Sequence, residues 1–285
     1  MHLRLVRACL LSFTSYFLCS PLQAAEVVIL DGIFKQGGMV LGHVAPGTTV
    51  SLDGQALSLA PSGRFVFGFD RDQGPHATLD IVHTDGSIEH RELSVEGRDY
   101  DIQRIDGLPP AQVTPRTKAQ LAHIKRDQQM KHQARADRSQ GIWIFEHFTW
   151  PLTGRVSGVY GSQRILNGEP RRPHYGVDIA APKGTNFMAP AGGVVTLAAE
   201  DMYFEGGLIF LDHGFGVTSA FLHLESVAVT AGEKVSQGDV LGTVGAQGRA
   251  TGPHLDWRMD WYGKHLDPTF LVGPMPEMAH TPGDQ

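Results

Sequence analysis

Five side chains in the C-terminal half of this chain have types and spacings that suit a single metal centre. They are His174 and Asp178, four apart; His254 and Asp256, two apart; and His223 between the two pairs. A hydrolytic zinc site uses three protein ligands and keeps a fourth position open, where a water acidified to a pKa of about 7 becomes the nucleophile. His174 is followed by Gly176 and Val177, poor helix formers, so the first pair is expected on a strand entering a loop. On a straight strand, residues four apart share a face yet lie about 13 Å from each other. The chain must therefore curl between them, and Gly176 permits it. His254 and Asp256 fall on one face of a strand that Pro253 opens, so one of them can bind an ion while the other leans over its water.

These residues belong to a longer ordered series: Phe148-Thr149-Trp150-Pro151, Gly161-Ser162-Gln163-Arg164, Pro173-His174-Tyr175-Gly176-Val177-Asp178, Asp212-His213-Gly214, Phe221-Leu222-His223-Leu224 and Thr251-Gly252-Pro253-His254-Leu255, ending near Asp267-Pro268. The series resembles the lysostaphin-type zinc endopeptidases, which cut peptide cross-links in bacterial peptidoglycan. Several motifs in the family's order are a far more specific signal than a lone His-x-x-x-Asp. The resemblance implies that His174 and Asp178 are zinc ligands and that His223 and His254 orient and deprotonate the water. The third ligand departs from the pattern, because the family writes His-x-His where this chain has His254-Leu255-Asp256. A carboxylate still reaches zinc at about 2.0–2.2 Å, so Asp256 is expected to complete a His-Asp-Asp set. Two anionic ligands neutralise more of the ion's charge than one, which points to a raised pH optimum or a different preferred metal. The implied function is a metal-dependent endopeptidase acting on peptidoglycan stem peptides during wall remodelling. The alternative is a degenerate relative that binds wall or regulates another murein hydrolase.

Ordinary explanations compete for each residue. The chain has 14 histidines, so chance proximity is easy. His213, in an Asp-His-Gly turn, is expected to be structural. His223 lies in the apolar string Ala220-Phe221-Leu222-His223-Leu224, where a core histidine bonded to a carbonyl is the plainer reading, and only its place between the ligand motifs argues otherwise. Tyr175 and Tyr203 could donate to an oxyanion, but packing is the usual role of such tyrosines.

The elements that must position this chemistry are read as mainly β. From residue 143 to 275, runs such as Gly207-Leu208-Ile209-Phe210-Leu211 and Val240-Leu241-Gly242-Thr243-Val244 alternate with glycine-bearing turns. They indicate an antiparallel β-sheet, which the resemblance makes a metallopeptidase domain of the duplicated hybrid motif type. Residues 227–245 also resemble the hairpins of biotinyl and lipoyl carriers, but Lys234 sits inside the hairpin and not at an exposed turn. Residues 26–107 alternate apolar and polar side chains between the turns Asp53-Gly54, Pro61-Ser62-Gly63 and Asp85-Gly86, which predicts a small immunoglobulin-like β domain. Residues 108–142 are expected to hold a linker helix, capped by Thr114-Pro115, with Leu121, Ile124 and Met130 as a thin apolar stripe. Its basic residues Lys118, Lys125, Arg126, Lys131 and Arg135 read as a solvated face, with contact to the catalytic groove or to acidic wall peptides as the sharper idea.

Residues 1–25 resemble a cleavable secretory signal, with Arg4 and Arg7 before an apolar centre, and 276–285 a flexible tail. A periplasmic or secreted protein without a stable membrane span is expected. Both cysteines, Cys9 and Cys19, fall in the signal, which excludes a disulfide framework or thiolate metal site after cleavage. Loss of the two arginines takes the formal charge from −6 to −8, so nucleic acid is an unsuitable partner, while a regulatory protein partner stays open.

Overall fold

The computed structural model describes residues 28–106, 117–136 and 138–276. The signal, Thr114-Pro115 and most of the C-terminal tail lie outside the described residues.

The N-terminal strands form two antiparallel sheets, one of three strands (Ile29–Gly32, Met39–His43, Arg64–Gly68) and one of four (Gln55–Ala56, Thr49–Leu52, His76–Val82, Ile88–Ser94). The alternation read in the sequence is what closes them: Ala77, Leu79 and Ile81 point inward, and Phe65 and Phe67 are fully buried. Strand Arg64–Gly68 is buried on both faces, because its outer side meets the C-terminal half. Gly68 lies so close to Leu266 that a Cβ there would come within 2.5 Å of it. Between the halves, strand Ile102–Ile105 pairs in parallel with Gln163–Leu166 and so hydrogen-bonds to the C-terminal half, outside both sheets of the sandwich.

The C-terminal half is built on a ten-stranded antiparallel sheet. Its main path runs Lys234–Val235, Gly193–Met202, Gly206–Gly214, Val217–Val227, His254–Trp261, Gly176–Ala180, Arg155–Gly158. Lys234 is locked in this ladder opposite Val194, where no carrier lysine could sit. Val177, Ile179, Leu255, Trp257 and Met259 fill the core face at 0% exposure, so the alternate positions Asp178, His254, Asp256 and Arg258 share the other face. Part of that other face is covered by the helix Lys118–Ala136, whose Ala134 joins Leu197, Met202, Leu208, Phe210, Ala220 and Leu222.

The helix begins in a way the sequence reading missed. Thr117 Oγ1 accepts the Gln120 amide at 3.3 Å while Gln120 Oε1 accepts the Thr117 amide at 2.8 Å, a reciprocal capping box. Its apolar stripe is thinner than expected, since Ile124 is buried but Leu121 and Met130 remain exposed. Docking relies on polar anchors instead. Buried Asp127 accepts the Tyr203 amide at 2.7 Å, Lys131 pairs with Glu205, and Arg135 lies over the Phe210 ring with its Nε 3.4 Å from Asp260. Two of the basic side chains read as solvated are thus neutralised by acids of the sheet, and among the described residues no helix is long and apolar enough to cross a membrane.

Candidate metal centre

Strand pairing alone places Asp178 and Asp256 side by side, because the register sets them directly opposite each other and Ala180 opposite His254. Two carboxylates in that relation repel, and the arrangement calls for a cation. His174 precedes the strand and is held by its backbone: its amide donates to Ser162 O at 2.8 Å and its carbonyl accepts the Gly161 amide at 2.7 Å. From there Nε2 comes within 3.2 Å of Asp178 Oδ1. Both atoms are buried and lack a hydrogen-bond partner, an arrangement that is costly unless a further group sits between them. The donor atoms of His174, Asp178 and Asp256 all lie within 4.8 Å of one another. The edge of a zinc tetrahedron with bonds of about 2.0 Å is about 3.3 Å, so the donor set fits that ion.

Glycines make the approach feasible. Gly158 is the cross-strand neighbour of Asp178, at a β-bulge, and a Cβ on it would lie 2.2 Å from Asp178 Oδ2. Gly176 was expected to curl the chain. Its role is clearance instead, since a Cβ there would meet Trp257 O at 2.4 Å and Arg258 Cγ at 2.6 Å.

His223 reaches the site by a backbone departure. In its strand Phe221 pairs with Trp257 on the core face and Leu222 with Asp256 on the site face, so strict alternation sends residue 223 into the core. A φ of +65° at His223 breaks the alternation, returning Leu224 to the core and bringing the imidazole Nε2 to 3.9 Å from Asp256 Oδ2. Such a conformation is strained for a residue with a Cβ and clusters at functional sites. It is secured by the His223 amide donating to Glu205 O at 2.8 Å.

The two remaining imidazoles are prepared alike. His223 Nδ1 donates to Gln247 O and His254 Nδ1 to Gly252 O, each at 2.8 Å, which leaves each Nε2 as an acceptor facing the carboxylates. The rings are 4.9 Å apart, and His254 Nε2 is 3.7 Å from Asp178 Oδ1. Burial lowers the pKa of His223, with Asp256 only partly opposing it, which favours the neutral imidazole. For His174 burial is outweighed by the adjacent carboxylates of Asp178 and Asp256, and its pKa is raised. Burial of Asp256 is likewise outweighed by Arg258, which holds its carboxyl well below the usual range.

All five sequence-selected residues therefore meet. Arg258 was missed, although it stands two residues beyond Asp256 and must share its face. Its guanidinium grips both Asp256 oxygens. The residues set aside stay aside: His213 is fully buried between Gly192 O and Ser219 Oγ, Tyr175 stacks on His265, and Tyr203 packs edge-on to His123.

An antiparallel sheet here presents converging imidazoles and carboxylates from neighbouring strands, a donor set that could hold a metal ion. Residues 172–268, about a third of the chain, match Peptidase family M23. The chain is 36% identical over 125 residues to the DD-carboxypeptidase/endopeptidase Mpg of Neisseria meningitidis, covering 44% of this chain and 29% of that protein. It is 35% identical over 122 residues to the peptidoglycan DD-endopeptidase ShyC of Vibrio cholerae, covering 42% and 28%. The matches thus span under a third of these curated relatives. A solved Pseudomonas aeruginosa chain assigned to peptidase M23 is 27% identical with a TM-score of 0.63, over 84% of this chain and 95% of that one. That likeness extends across the N-terminal sandwich as well as the sheet.

Proposed function

We propose that this chain is an exported, zinc-dependent endopeptidase that hydrolyses peptide cross-links of bacterial peptidoglycan. The observation carrying this reading is the pair of buried, unpartnered donors, His174 Nε2 and Asp178 Oδ1, 3.2 Å apart and across from Asp256. Those three residues would hold the ion, which when bound polarises the scissile carbonyl and acidifies a water molecule. His223 and His254 do the proton work. Each offers Nε2 to the same space, so either can take a proton from attacking water and the pair can return it to the leaving amine. The likeness to enzymes named for peptidoglycan supports the substrate, and the signal-like residues 1–25 support export to the periplasm or beyond.

The grip of Arg258 on Asp256 favours a second reading, a wall-binding or regulatory protein that does not cleave. Digestion of isolated sacculi separates the two. Release of cross-link fragments that stops with chelator supports the enzyme; binding without release supports the regulator. His174→Ala or Asp178→Ala should lose metal and activity together, whereas His254→Ala should lose turnover with metal largely retained. Full zinc content in His174→Ala protein would contradict the ligand assignment.

A further inference from the structure

A site of one imidazole and two carboxylates carries one more negative charge than a site of two imidazoles and one carboxylate. The structure supplies the missing positive charge. Arg258 Nε donates to Asp256 Oδ1 at 3.0 Å and Oδ2 at 3.1 Å, and Nη2 donates to Oδ2 at 2.6 Å. Among the described residues all of its side-chain hydrogen bonds go to Asp256. The neighbouring strands leave room for this fork. Arg258 is flanked in register by Gly176 on one side and Ala220 on the other, and a Cβ on Gly176 would intrude on both Arg258 and Asp256. A bidentate guanidinium fixes the plane of a carboxylate while leaving further oxygen lone pairs to a cation.

We propose that Asp256 and Arg258 form one unit standing in for a neutral imidazole: the carboxylate supplies the ligand oxygen, and the guanidinium orients it and cancels its charge. Arg258 is then a positioning residue of the metal centre. This rests on the metal-dependent reading above. It also removes the premise of a raised pH optimum or altered metal preference, since His174, Asp178, Asp256 and Arg258 together carry the same single negative charge as a His-Asp-His set.

The consequence is an inversion of signs on exchanging the partners. A histidine at 256 beside a retained Arg258 leaves a site with no net charge and an uncompensated guanidinium against the ion. Removing Arg258 alone leaves two negative charges and draws the ion harder. Zinc dissociation constants of the purified full chain, measured at one pH by competition with a chromogenic chelator, test this. Asp256→His should weaken zinc binding by at least about tenfold, Arg258→Met should tighten it by a similar factor, and the double variant should return to within about threefold of wild type. Arg258→Lys keeps the charge and loses the fork, so its zinc affinity should stay within about threefold while the zinc-free Tm falls by about 4 °C or more. A merely structural salt bridge moves Tm in these variants without inverting the sign of the zinc effect. Undiminished zinc binding by Asp256→His would overturn the unit, and that variant decides the matter even if Arg258→Met does not fold. A wild-type chain that binds no zinc would instead overturn the metal reading, and this inference with it.

Discussion

At the scale of single residues, the site is organised around backbone and protonation choices that side-chain identity alone does not reveal. His223 occupies a left-handed conformation to leave the core face. Glycine accepts that conformation without strain, so His223→Gly should be more stable than His223→Ala by about 1 kcal/mol in denaturant titrations, the reverse of the usual order for these two residues. Both variants should lose about 10²–10⁴-fold in turnover of cross-linked peptide. His213 illustrates the opposite fate of a histidine. Complete burial lowers its pKa from 6.5 to about 4, against a smaller opposing effect of the Gly192 carbonyl. A depressed folded-state pKa contributes stability that is present above the unfolded value of 6.5 and is lost as the pH falls toward 4. The loss should amount to roughly 3 kcal/mol at most. Comparing the pH dependence of unfolding free energy for wild type and His213→Gln should show the variant lacking this acid-side slope; identical slopes would exclude His213 as its source.

At the scale of elements, the candidate metal centre depends on strands approaching closely where one of them has no side chain. Gly158→Ala places a methyl on the Asp178 carboxylate while leaving the ladder hydrogen bonds intact. Circular dichroism should stay unchanged and zinc content of the purified protein should collapse; a fully metallated Gly158→Ala protein would show that Asp178 can hold the ion from another rotamer. The helix Lys118–Ala136 acts one step further away. Asp127 holds the Tyr203 amide, Lys131 holds Glu205, and the Glu205 carbonyl in turn holds the amide of His223. Asp127→Ala leaves a part-buried amide without this partner, which costs about 1 kcal/mol. Hydrogen exchange should accelerate at the amides of Tyr203 and His223 ahead of those in strand Gly206–Gly214, and uniform acceleration would mean that the helix acts only on global stability.

At the scale of the whole molecule, one hydrophobic cluster runs through both halves, taking in Val40, Phe65 and Leu79 of the sandwich together with Ile144, Trp257 and Leu266. Polar ties reinforce the junction. Arg71 donates twice to Gly161 O, buried Asp267 pairs with Arg98 at 2.8 Å, and the Tyr160 hydroxyl donates to His265 O at 2.7 Å. The turn that carries Gly161 also anchors the backbone of His174, so the sandwich buttresses one side of the candidate metal centre. A shared core of this kind should unfold as a unit. Calorimetry should give a single transition for the full chain, and two resolved transitions would show that the halves are energetically separate.

Strand period, antiparallel architecture, a helix between two β regions and the identities of the five residues that meet were all legible along the chain. Those follow from local rules, because a period of two assigns faces and a motif's order survives any detail of packing. Gly176 and His223 show where local rules end. The first proved to be a matter of clearance from Trp257 and Arg258, the second of a single dihedral that overrides the alternation its own neighbours obey. Arg258 was readable as a same-face neighbour of Asp256, but nothing along the chain says that its guanidinium closes on that carboxylate. That depends on Gly176 and Ala220 flanking it from adjacent strands. Tertiary structure alone decided these points, since distances of a few ångströms between residues far apart in sequence are set by register and packing, and the charge around a buried site is the sum of whatever they bring together.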